Sequence, residues 1–115
     1  MHEMSYIARM VSLAEDVAHE NNAKAVESIV VEIGQSSGVM PYYMQKYFPE
    51  ASKGTIIDGA ELICEEVPVK AFCEECNNEY HPSRENDYLC PLCGGRRAHI
   101  IAGRDVVLKN VIIKE

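Results

Sequence analysis

The chain has 115 residues, with 11 Lys/Arg against 18 Asp/Glu and a formal net charge of −7. That length suits one compact domain with at most a small appended module, and no apolar run approaches the roughly 18 residues of a membrane span. Phosphate binding needs clustered Lys/Arg, and only Arg96-Arg97 qualifies, so a nucleic-acid partner is not expected.

Residues 1–3 are Met1-His2-Glu3. Initiator methionine is removed before small residues; His2 is large, so Met1 should stay and leave a free α-amine one residue before an imidazole. That spacing makes a chelate. The amine of Met1, the deprotonated backbone nitrogen of His2 and its Nδ1 occupy three corners of a square, and the amide nitrogen or carboxylate of Glu3 supplies the fourth. Square-planar nitrogen ligation suits Ni(II) or Cu(II) and not zinc. The residues alone leave open an idle, solvated histidine.

Residues 4–22 read as an amphipathic helix, with Met4, Ile7, Ala8, Val11, Ala14 and Ala18 on one face, Met10 and Val17 widening it, and Asn21-Asn22 ending it. His19 is expected on an exposed or boundary face. Residues 25–33 are a β-branched run closed by Gly34, a mostly buried strand. Pro41 is placed to open a second helix, and Pro49 should end or kink it early. Its aromatics, Tyr42, Tyr43, Tyr47 and Phe48, are read as packing on the sheet, with a partner surface as the alternative. Residues 60–69 form a second strand whose Pro68 marks an edge or an exit, and Cys64 in it is expected to be a small buried thiol. Strand, helix, strand is a βαβ unit with parallel strands.

Two Cys-x-x-Cys pairs follow, Cys73/Cys76 and Cys90/Cys93, with thirteen residues between them. Zinc takes four thiolates in a tetrahedron, and each short turn can aim two sulfurs at one point. Asn77 and Gly94, directly after each pair, are residue types that adopt φ > 0 and let the chain leave such a turn. Disulfides suit secreted chains, and a Met-His-Glu-Met start without an apolar leader points to the cytoplasm. A closed four-thiolate site leaves no open position for substrate, so it argues for a scaffold and against zinc catalysis; with no nucleophile-base pair or phosphate loop either, an enzyme is not expected. His81 and His99 are read as loop residues, with exchange for a thiolate as the alternative for either and hydrogen bonding to one as a further alternative for His81. Residues 105–114 suggest a long strand that returns to the first sheet. The expected fold is α+β: two helices on a mixed three-stranded sheet, with a zinc ribbon inserted before the last strand. The expected division is 1–70 plus 104–115 as an α/β domain and 71–103 as the ribbon.

Taken together, Met1-His2-Glu3, a following helix, Gly54-Thr55, Gly59-Ala60-Glu61-Leu62, Glu66-Val67-Pro68, the two cysteine pairs and a final strand resemble the HypA family, with its HybF paralogues. The resemblance implies a nickel metallochaperone of [NiFe]-hydrogenase maturation. It implies Ni(II) bound by Met1, His2 and Glu3 and structural Zn(II) at Cys73, Cys76, Cys90 and Cys93. It implies delivery to the hydrogenase large-subunit precursor with the maturation GTPase HypB as partner, urease maturation proteins as a further client system, and a monomer or homodimer. The rival reading is a zinc-ribbon adaptor or nucleic-acid-binding module without a nickel role.

Overall fold

A computed structural model describes residues 3–114, with the side chain of Glu3 outside the described part. The elements in order are α1 (Glu3–Glu20), β1 (Val26–Gly34), α2 (Pro41–Ser52), β2 (Glu61–Val67), β3 (Lys70–Cys73), β4 (Glu79–Tyr80), a 3₁₀ turn (Arg84–Asn86), β5 (Ala98–Ala102) and β6 (Val106–Ile113). They make two three-stranded sheets, β2-β1-β6 and β4-β3-β5. β1 runs parallel to β2 and antiparallel to β6. The molecule measures 53 × 25 × 18 Å, too long for two stacked sheets; they lie end to end.

The first sheet is built on β1. Its Ile29, Val31 and Ile33 face α1 and α2 and are almost fully buried, as are Ile7, Met10, Val11, Ala14 and Ala18 of α1 and Met44 and Phe48 of α2. Each large apolar side chain so buried contributes about 1.5–3 kcal/mol. Ala14 and Ala18 are fully buried, and their small side chains leave room for a neighbouring element to approach α1 closely. Met4, in the first turn, does not join them and is 43% exposed. Asn22 at φ 55° ends α1, with Ala23 N–H donating to Ala18 O at 2.9 Å and Asn22 N–H to His19 O at 3.1 Å, a left-handed helix stop.

Pro49 neither ends nor visibly shortens α2, which continues to Ser52. The proline removes one backbone donor, but Phe48 and Ser52 on either side of it are buried, and Ser52 Oγ donates to Phe48 O at 2.9 Å. Burial of that last turn outweighs the missing bond. The aromatics of α2 divide: Phe48 enters the core, Tyr47 is half-buried, and Tyr42 is 66% exposed. Cys64 is half-buried, with Gln45 Nε2 3.5 Å from its sulfur.

The second sheet was not legible as strands beforehand, because β3, β4 and β5 are short and interrupted by the cysteine turns. It joins the first sheet through tight backbone contacts. Where the two sheets meet, Ser36 N–H donates to Gly103 O, just past β5, beside the last bonds of the first sheet's ladders, Gly34 N–H to Asp105 O and Gln35 N–H to Val67 O, each at 2.8 Å. A Cβ on Gly34 would stand 2.4 Å from the carbonyl carbon and oxygen of Gly103, so only glycine fits.

Candidate metal centre

The two cysteine turns have the same construction. In the first, Asn77 N–H donates to Cys73 O at 2.9 Å and Cys73 N–H to Asn78 O at 2.9 Å; in the second, Gly94 N–H donates to Cys90 O at 2.8 Å and Cys90 N–H to Gly95 O at 3.3 Å. Asn77 at φ 58° and Gly94 at φ 69° turn the chain out of each loop. Two equivalent loops facing one another aim four sulfurs at one point.

The sulfurs of Cys73, Cys76, Cys90 and Cys93 all lie within 4.8 Å of one another, with Cys73–Cys93 and Cys76–Cys90 each at 3.6 Å. A disulfide needs a separation of about 2.05 Å, so these thiols are unbridged. Four sulfurs about 2.3 Å from the centre of a tetrahedron stand about 3.8 Å apart, so the donor set and its spacing fit zinc. Cys73 and Cys90 are buried, Cys76 is half-buried and Cys93 is exposed.

Hydrogen bonds tune the thiols unevenly. Burial opposes ionisation of Cys90, but the backbone N–H groups of Cys93 and Leu92 and the neighbouring Cys76 and Cys93 thiols outweigh it, and its pKa falls to about 7. At Cys93 the Gly95 N–H, 3.3 Å away, favours the thiolate; the Cys73 thiol, burial and the other two thiols outweigh it and push the pKa up to about 12. One negative charge thus settles readily and further charge is resisted, the behaviour of a site that requires a cation to hold four thiolates. Burial, followed by the four nearby sulfurs, also pushes the Tyr80 phenol up.

Glu75, inside the first turn, was not anticipated from the sequence. Its Oε2 accepts from Arg96 N–H at 2.8 Å and Arg97 N–H at 3.4 Å, while Glu74 N–H donates to Arg97 O at 2.8 Å. It ties the first turn to the chain leaving the second. The signal was a carboxylate between two cysteines, which is common enough on surfaces to carry little information by itself.

Neither histidine near the ribbon belongs to the four-sulfur group among the described residues. His81 follows β4 in a loop, as expected, with its Nδ1 2.8 Å from Val69 O. His99 lies in β5 and not in a loop, its Nδ1 3.4 Å from Glu74 Oε1 and its ring 5.5 Å from Phe72. His19 is exposed near the end of α1. Of the terminal candidates, Met1 and His2 fall outside the described residues, and Glu3 is the first residue of α1. No helix among the described residues is long and apolar enough to cross a membrane.

Residues 1–113 match a family model described as "Hydrogenase/urease nickel incorporation, metallochaperone, hypA". The chain is 41% identical over 111 residues to the hydrogenase maturation factor HypA of Aquifex aeolicus, covering 96% of each chain. It is 35% identical over 120 residues to that of Methanothermobacter thermautotrophicus, covering 100% of this chain and 98% of the relative. The fold is similar to the solution structure of the Ni metallochaperone HypA from Helicobacter pylori, with a TM-score of 0.74 at 23% identity over 98% of this chain and 97% of that one. A second solution structure of a HypA protein gives a TM-score of 0.78 at 23% identity, over 99% and 97%.

Proposed function

The chain belongs to the HypA family of nickel-incorporation metallochaperones, and from that premise we propose that it binds Ni(II) through Met1, His2 and Glu3 and delivers it to the [NiFe]-hydrogenase large-subunit precursor. The maturation GTPase HypB is its partner in that delivery, with urease maturation proteins as a second client system. It works in the cytoplasm as a carrier and not as a catalyst.

The observation that best supports the terminal nickel site is that α1 begins at Glu3. The first four N–H groups of a helix have no acceptor inside it. Glu3 N–H is among them, so deprotonating that nitrogen for nickel breaks no helical hydrogen bond. Two deprotonated amides also cancel the charge of the ion, so no net positive charge is set against the positive end of the helix dipole. Ile7, Met10 and Val11 anchor the same helix in the core a turn or two further on. A site at such an end has one face open to the ligands of an acceptor.

Cys73, Cys76, Cys90 and Cys93 would hold Zn(II), which supplies charge compensation and a cross-link between the two cysteine turns. The protein's part is to shape those turns, through Asn77 and Gly94, and to lock them together through Glu75. Binding contributes to folding because the four thiols converge only in the folded segment.

Nickel held by amide nitrogens competes with protons directly, so acidification should release it before zinc. The test is metal analysis of protein loaded with one equivalent of each, dialysed at successively lower pH. The expected result is loss of nickel with zinc retained; loss of zinc first would overturn the assignment of the two metals to two kinds of site.

A further inference from the structure

The last strand is an apolar edge with nothing paired to its outer side among the described residues. β6 reads Val106-Val107-Leu108-Lys109-Asn110-Val111-Ile112-Ile113 and lies at the end of its sheet. None of its eight residues is buried, whereas seven of the nine in β1 are. Val107 is 46% exposed and Ile112 39%. A long apolar edge strand is a template for another strand unless something blunts it, and a lysine and a bulge are common means of doing so. β6 has both: the register passes from Asn110 opposite Val30 to Leu108 opposite Val31, leaving Lys109 as the extra residue.

Here the bulge also has another effect. Val106, Leu108 and Val111 pack on the core side, and Ile113 is opposite buried Val26. Val107 is opposite Glu32 and Ile112 opposite Ser28, on the outer face. Lys109 reaches Glu65 at 2.9 Å on that face, and Asn110 joins it there opposite Val30. Read from Val106 to Ile113, the strand is in, out, in, out, then out, in, out, in, a pattern symmetric about its centre. In an unbulged strand, antiparallel self-pairing centred between two residues would set inward positions against outward ones, because facing alternates with period two. The bulge removes that conflict. Val106 matches Ile113, Val107 matches Ile112, Leu108 matches Val111 and Lys109 matches Asn110, each pair on one face and six of the eight residues apolar.

We propose that β6 pairs antiparallel with β6 of a second copy of this chain, making one continuous six-stranded sheet across a two-fold axis. The neighbouring helix fits the same axis. Alongside Val106–Leu108, α1 presents Leu13, 37% exposed, with Arg9 to one side of it and Asp16 and Glu20 to the other. A two-fold reverses α1 relative to its copy and sets Arg9 of one toward the acidic side of the other. The inference goes beyond the nickel reading and does not depend on it.

The test is sedimentation velocity of the zinc-loaded full chain, without nickel, across a hundredfold range of concentration, with two outer-face variants. Val107→Lys places its charge beside Glu32 and Ile112→Glu beside Ser28, so neither sets like charges opposite each other within the chain. The wild-type chain should dimerise, and each variant alone should weaken the dimer at least about tenfold. An equimolar mixture should recover it, because the mixed pair sets lysine against glutamate at one contact and keeps Ile112 against Val107 at the other. A wild-type chain that stays monomeric throughout, a dimer that neither variant weakens, or a mixture that stays monomeric would overturn the proposal.

Discussion

Gly34→Ala tests how the two sheets are joined. The residue lies at the end of β1 with an ordinary backbone, so alanine brings no left-handed strain and by itself would stabilise the chain by about 0.4–1 kcal/mol through the unfolded state. Packing opposes this. The new Cβ would stand 2.4 Å from Gly103 C and O and 2.8 Å from Arg104 N, all backbone atoms. No rotamer relieves that, so the connection between β5 and β6 that carries Gly103 must move. Overpacking of this kind costs about 1–3 kcal/mol. The movement also stretches the bonds from Gly34 N–H to Asp105 O and from Ser36 N–H to Gly103 O, each 2.8 Å now and each contributing about 1 kcal/mol. The clash wins, and the net loss should be about 2–4 kcal/mol. For a chain of this size that lowers Tm by roughly 10 °C, measured by far-ultraviolet circular dichroism on zinc-loaded protein. A change under about 2 °C would refute the close approach at the junction.

Glu75→Ala should speed zinc loss about tenfold in competition with a chromophoric chelator, because the carboxylate that joins the two cysteine turns is removed; an unchanged rate would show that it carries no load. In metal-free protein the first thiolate of the cluster should form near pH 7, followed by ultraviolet thiolate absorbance. Since the folded pKa of Cys90 lies below its unfolded value, this group stabilises the folded ribbon above about pH 9 and that contribution fades as pH falls through about 7; no thiolate below pH 8 would contradict it. Gln45→Leu should slow alkylation of Cys64 in zinc-loaded protein, because burial already pushes that thiol up and the Gln45 donor is what holds it down. Faster alkylation would mean that access and not ionisation controls the thiol.

What could be read in advance followed from strong local signals. The three-and-four spacing of Ile7, Val11, Ala14 and Ala18 gave α1, and the β-branched run of β1 gave the central strand with its parallel neighbour β2. The paired cysteines with Asn77 and Gly94 behind them announced the four-sulfur cluster. What escaped was decided by tertiary context. Propensity argues against a helix running through Pro49, yet burial of Phe48 and Ser52 carries α2 past it. His99 looked like a loop residue because β5 is short and defined mainly by pairing with β3. Cys64 was placed by composition in the interior, but β2 is an edge strand and leaves it half-covered. Glu75 depends on a carboxylate meeting backbone donors twenty-one residues away, which no local pattern records.

The most direct test of the account is calorimetric titration of Ni(II) into untagged, zinc-loaded protein, beside His2→Ala and a chain extended by residues before Met1. The untagged chain should show one specific site, lost in both variants while the zinc content stays the same. Equal binding in all three would contradict it, since neither the α-amine nor the His2 imidazole would then be a ligand, and the chain would revert to a zinc-ribbon adaptor whose nickel binds elsewhere.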